Sequence, residues 1–150
     1  MLYGNDVCVP ISRLPDLVYD CQKEFKERNI YAPIVGHVGD GNFHASLIMR
    51  SLDELAETSK VIGNIIHRAQ EMDGTCSGEH GIGMTKKKYL RAELGDGTLH
   101  MMKTIKDAID PLGIMNPGKL CMYTTMDALT PDPDELMIDP KWPAPATPCC

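Results

Sequence analysis

Apolar and polar positions along the chain change period several times, and each change marks an element. Asp6 to Pro10 alternates and predicts a strand. From Ser12 to Asn29 the apolar residues Leu14, Leu17, Val18, Cys21 and Phe25 recur near helical spacing, with Pro15 in the first turn, where proline is tolerated. Residues 31–50 hold two β-rich runs around Asp40-Gly41 and predict a hairpin. Asp53 to Met72 is the longest helical run, with Leu55, Val61, Ile62, Ile65, Ile66 and Ala69 on one side, and Asp73-Gly74 ends it. Thr85 is placed to cap a helix through about Leu94. Gly95 to Gly97 break that helix and Thr98 to Ile109 resume it, with a stripe of Leu99, Met102, Ile105, Ala108 and Ile109 that reads as core. Strand, helix, hairpin and helix in this order predict an α+β, ferredoxin-like antiparallel sheet with helices on one face, followed by a C-terminal helical segment.

The hairpin carries the first candidate chemistry. A two-residue type I′ turn at Asp40-Gly41 would set Gly39 opposite Asn42, Val38 opposite Phe43 and His37 opposite His44. Directly opposed residues share a sheet face with Cβ atoms about 5 Å apart, so the two imidazoles could chelate one cation. An ordinary hairpin with two unrelated polar residues fits the same pattern. A second signal lies downstream in Gly74-Thr75-Cys76-Ser77-Gly78-Glu79-His80-Gly81-Ile82-Gly83, where four glycines in ten residues exceed the needs of a passive connector. Glu79 and His80 are adjacent, so one can be a ligand while the other faces a substrate. His37, His44 and Glu79 would form a two-histidine, one-carboxylate set suited to Zn²⁺, Mn²⁺ or Fe²⁺, among which spacing does not choose.

Charge and composition narrow the classes. The net charge of −6 argues against a nucleic-acid binder, and Lys86-Lys87-Lys88 is too short a run to reverse it. No apolar run reaches transmembrane length, and the N-terminus shows neither a signal-peptide core nor a transit segment. The six cysteines form no paired framework and read as reduced thiols; Cys76 sits in the glycine-rich loop beside a glutamate rather than a cation, which argues against a nucleophile. His67 and His100 fall within helical runs and receive no role. After Tyr123, six prolines fall among acidic residues, so 1–122 is expected to be one domain and 123–150 a disordered or surface-laid tail.

Taken together and in order, Gly36–His44 (GHVGDGNFH), GTCSGEHGIG at 74–83, the run Lys86 to Leu90, Asp110-Pro111 and Ile114-Met115-Asn116-Pro117-Gly118-Lys119 resemble the C-terminal domain of the FAD-linked 2-hydroxy-acid dehydrogenases. The resemblance covers roughly residues 5–121. Phe43 after Asn42, with Asp6-Val7-Cys8-Val9-Pro10 and Ser12-Arg13-Leu14-Pro15, looks most like the D-lactate branch, beside the D-2-hydroxyglutarate and glycolate branches. The resemblance implies FAD as cofactor together with a divalent metal, Zn or Mn, on His37, His44 and Glu79. It also implies His80 as the proton-abstracting base and Asn116 near the flavin ring. Ser46 stands where family members carry a substrate-contacting asparagine. The resemblance further implies a 2-hydroxy acid as substrate, cytochrome c or an electron-transfer flavoprotein as acceptor, and a mitochondrial location.

No GxGxxG, Walker-type loop or other phosphate cradle occurs. The chain is therefore expected to be the C-terminal part of a longer flavoprotein, bound to FAD mainly through an N-terminal domain and unable to retain the cofactor alone. The competing expectation is a catalytically inactive metal-binding fragment. A metal-dependent hydrolase could use the same ligand set, but the rest of such a site has no counterpart here.

Overall fold

The computed structural model describes residues 1–119; the expected tail at 123–150 lies outside them. Three strands and three helices follow in the order β1 (Leu2–Cys8), α1 (Leu14–Glu27), β2 (Ile34–His37), β3 (Asn42–Ile48), α2 (Leu55–Glu71) and α3 (Leu90–Ile109). The strands form one antiparallel sheet in the order β1-β3-β2. β1 and β2 are thus parallel to each other, joined by α1, with β3 between them, the split βαβ arrangement of the α+β class read from the sequence. After α2 the chain meets β1 through the bridge between Cys8 and Thr75, adding no further strand among the described residues.

Alternation along the strands gives the sheet two different faces. Val7, Phe43, Ala45 and Leu47 point to one side and pack with Leu14, Leu17, Cys21 and Phe25 of α1 and Val61, Ile62, Ile65, Ile66 and Ala69 of α2. This is the core, and both helical stripes predicted from the sequence supply it. Asp6, Asn42, His44 and Ser46 point to the opposite side, since Asp6 pairs with His44 and Gly4 with Ser46. Among the described residues the glycine-rich loop after α2, rather than a helix, lies over that polar side.

The hairpin differs from the predicted two-residue turn. Val38–Asp40 form a single 3₁₀ turn closed by Gly41 in the left-handed region, so only Gly41 needs positive φ. The register becomes His37 opposite Asn42, Gly36 opposite Phe43 and Val35 opposite His44. His37 and His44 are therefore diagonal neighbours, not a directly opposed pair. The shift is by two residues, an even number, so both histidines keep the face expected of them.

Two further expectations are corrected. α3 begins at Leu90 after a 3₁₀ turn at Lys87–Tyr89 and has no side-chain cap, rather than starting from Thr85. Lys86, just before that turn, donates its Nζ to the backbone carbonyl of Asp6 on β1. The stripe along α3 is not core beyond its first turns. Leu99 is buried, whereas Ile105 is 54% and Ile109 71% exposed. With Met102, Met115, Asn116 and Lys119 they line an open cleft of about 510 Å³. Gly95, at φ 72, makes the break predicted between the two halves of the helix.

Glu93 joins α3 to the glycine-rich loop, accepting the Cys76 backbone N–H at 2.9 Å and Gln70 Nε2 at 3.1 Å. Burial pushes its carboxyl up, but hydrogen bonds from Thr75, Cys76 and Gln70 outweigh burial and hold it below the ordinary value. A carboxyl depressed in the folded state contributes stability above its unfolded pKa and loses it as pH falls through the folded value. Glu93→Gln is expected to cost about 1–2 kcal/mol at pH 7, with the deficit shrinking below about pH 4. Urea midpoints of both proteins at pH 7 and pH 3 check this; an equal deficit at both would refute it.

Candidate metal and substrate site

The polar face of the sheet and the loop after α2 together build one cluster. His37 ends β2, and its backbone N–H lies 3.3 Å from the Asn42 Oδ1 that accepts it. His44 rises from the middle of β3, half-buried. Glu79 comes from the loop and brings Oε1 to 2.8 Å from His44 Nε2 and 3.3 Å from His37 Nε2. One donor atom from each of the three side chains lies within 4.8 Å of the others. Two imidazole nitrogens and a carboxylate oxygen converging from outside on one point form a donor set that could hold a borderline divalent cation and leave coordination positions open.

The loop takes its shape from Asp6, a residue whose part in the site was not visible in the sequence. Asp6 is 1% exposed. Its Oδ2 accepts the backbone N–H groups of Gly78 and Glu79 at 3.0 Å each and of His80 at 2.9 Å, with Ser77 Oγ also 3.0 Å away. Successive N–H groups turned inward on one carboxylate oxygen make a nest, here filled by a side chain of the same protein. Burial raises the Asp6 carboxyl, but the bonds from His80 and Glu79, the charge of Lys86 and the Ser77 hydroxyl prevail and leave it below the ordinary range. The glycine at 78 follows from this packing, since a Cβ there would sit 2.5 Å from Asp6 Oδ1 and 2.8 Å from Asn42 Cβ. A strand carboxylate with its alternating neighbours was the available signal; its place opposite His44 depends on register, which the sequence did not give.

His80 is exposed, and its ring stacks on that of His44 with centroids 4.8 Å apart and planes 12° from parallel. It stands beside the donor cluster without being part of it. Ser46 lies two residues beyond His44 on the same face, opposite Gly4 on the β1 side, and donates its backbone N–H to the Pro33 carbonyl at 3.0 Å on the other. Asn116 is elsewhere, at φ 47 in the turn after α3, where Asp110 accepts the N–H groups of Ile114 and Met115. It lines the apolar cleft beside α3, and no contact joins it to the histidine cluster among the described residues. Cys76 is fully buried, and burial, with Glu93 adding to it, pushes its thiol up to about 12, so it is no thiolate nucleophile.

Comparison with known proteins agrees with this arrangement of motifs. The family described as FAD linked oxidases, C-terminal domain, matches residues 1–120. A probable mitochondrial D-lactate dehydrogenase of Danio rerio is 44% identical over 81% of this chain and 25% of its own length. A mitochondrial D-lactate dehydrogenase (cytochrome) of Arabidopsis thaliana is 44% identical over 77% of the chain and 21% of its own length. Its counterpart D-lactate dehydrogenase (cytochrome) 1 of Saccharomyces cerevisiae is 40% identical over 79% and 20%. The chain thus spans about a fifth to a quarter of the length of these relatives.

Proposed function

The chain belongs to the C-terminal domain family of the FAD linked oxidases, and from that premise we propose that it forms the metal- and substrate-facing part of a flavin-dependent dehydrogenase that oxidises a D-2-hydroxy acid. The substrate we assign is D-lactate, giving pyruvate, in line with the names of the relatives above. The observation that carries the reading is the convergence of His37, His44 and Glu79 beside the ring of His80. The donor set fits a divalent cation, Zn²⁺ or Mn²⁺, in number and chemistry. To the flavin ring we assign Asn116, which lines the apolar cleft beside α3, and the sequence offers no cradle for the phosphates. We assign those phosphates to the part of the relatives' length that this chain does not cover.

When bound, the cation supplies Lewis acidity toward the substrate's 2-hydroxyl and carboxylate, and FAD supplies the two-electron acceptor. The protein's own residues do the rest. His37, His44 and Glu79 fix where that hydroxyl sits. His80 takes the hydroxyl proton at a ring nitrogen, a task for which an imidazole is suited near neutral pH. Gly81, with open space where a Cβ would stand, leaves an approach to His80 for a small acid, and Ser46 offers a hydroxyl on the same sheet face as His44. Electrons would leave to cytochrome c or an electron-transfer flavoprotein in the mitochondrion. Among the described residues no helix is long and apolar enough to cross a membrane.

Elemental analysis of protein purified without chelator is expected to give about one equivalent of divalent metal, falling below about a tenth in His37→Ala and in His44→Ala. Unchanged metal content in both variants would end the metal assignment.

A further inference from the structure

The carboxylate of Asp6 has two oxygens in different environments. Oδ2 fills the loop nest, with the donors of residues 77–80 around it. Oδ1 is buried and has no hydrogen-bond partner among the described residues, and neither has Nδ1 of His44. These two atoms are 3.8 Å apart. They belong to side chains directly opposed across β1 and β3, the closest relation a sheet allows. A buried acceptor and a buried ring nitrogen left facing each other cost free energy that a shift of under about 1 Å would recover.

We infer that Asp6 is a positioning residue whose Oδ1 accepts the Nδ1–H of His44 and so leaves the Nε2 lone pair free for a cation shared with Glu79, while its Oδ2 holds the loop that delivers Glu79. One carboxylate then aligns two of the three donors, one through a ring tautomer and one through a backbone nest. A ring nitrogen binds a cation only through its lone pair, and the proton on the other nitrogen is what frees that lone pair. The fixed ring also presents the flat face on which His80 stacks, 4.8 Å away. This inference rests on the metal reading above for its consequence in affinity; the tautomer of His44 in Glu79→Ala is independent of it.

Asp6→Asn separates the two tasks. The amide oxygen can still accept the nest N–H groups, and these exclude the NH₂ from that position. The NH₂ then faces His44 Nδ1 and requires that nitrogen as an acceptor, which moves the ring proton to Nε2. The tautomer is read by long-range ¹H–¹⁵N correlation of histidine-labelled, metal-free chain at a pH where the ring is neutral. The Glu79→Ala background is used, because it removes the competing acceptor at Nε2. His44 is expected to carry its proton on Nδ1 in Glu79→Ala and on Nε2 in Asp6→Asn/Glu79→Ala. A proton on Nε2 with Asp6 present overturns the proposal, as does an unchanged tautomer in the double variant. If the double variant fails to fold, the spectrum of Glu79→Ala alone decides. With Glu79 intact, Asp6→Asn is expected to weaken Zn²⁺ or Mn²⁺ binding roughly 10–100-fold with the folded circular dichroism spectrum retained. Affinity within threefold of the parent in folded Asp6→Asn also overturns it. Absence of metal binding by the parent chain would remove the metal reading, while the Glu79→Ala spectrum would still show whether Asp6 sets the tautomer of His44.

Discussion

In a protein of the relatives' full length carrying this domain, His80→Ala is expected to lower kcat by roughly 10²–10⁴, the usual share of a general base, with bound metal unchanged. The expectation follows from where the ring stands. The peptide N–H of His80 is held 2.9 Å from Asp6 Oδ2 and its ring lies over His44, so it stays beside the donor cluster while contributing no ligand to it. A base in that position is lost without the metal being lost. Stopped-flow reduction of the flavin by D-lactate, with metal analysis of the same sample, makes the measurement. A rate within about threefold of the parent removes His80 from the chemistry, and metal loss as complete as in Glu79→Ala makes it a ligand instead.

Gly41→Ala is expected to destabilise the chain by roughly 2–5 kcal/mol. Gly41 is at φ +77, where a side chain costs about 1–2 kcal/mol. An added Cβ would also stand 2.2 Å from the Val9 carbonyl oxygen, an overlap of the kind that costs about 1–3 kcal/mol when backbone must yield. The Gly41 carbonyl meanwhile accepts the Val9 N–H at 2.9 Å, so the strain falls on the connection between the hairpin and the end of β1. Because the same turn sets the register that brings His37 to the diagonal of His44, metal content should fall with stability. Urea unfolding followed by circular dichroism tests the first part; a change below about 0.5 kcal/mol would show that the turn relaxes freely.

The two expected losses bear on the site differently. His80 is the residue to which we assign the proton transfer, and it is exposed, so its removal is expected to be read in rate. Gly41 contributes only conformation, so its removal is read in stability and, through the strand register, in the histidine pair. Asp6 stands between them, a buried group whose Oδ2 is hydrogen-bonded to the loop and whose Oδ1 lies 3.8 Å from the His44 ring.

Much of this was legible in the chain itself because the signals are periodic or local. Helical spacing named the buried residues of α1 and α2, and nearly every one lies in the core. Period-two alternation put His37 and His44 on one face, and that survived an error in the turn because the register moved by two residues rather than one. The glycine-rich loop was recognised from composition, and the motif order showed the family. What failed was whatever depended on an exact pairing or on a partner far along the chain. The type I′ turn was read from Asp40-Gly41 alone, but Val9 reaching the Gly41 carbonyl helps hold a longer loop. The apolar stripe of α3 was read as core, and spacing does not say whether a covering surface exists; in the described residues Ile105 and Ile109 face an open cleft. The role of Asp6 was hidden for the same reason. The sequence by itself named His37, His44, Glu79 and His80 as candidates for metal-binding and acid–base chemistry and put the two hairpin histidines on one sheet face, because those readings follow from side-chain type and backbone period. Only the tertiary structure decided that a carboxylate at position 6 meets the loop at 77–80 and the ring at 44, since such a meeting depends on the packing of strands and loops more than 30 residues apart along the chain.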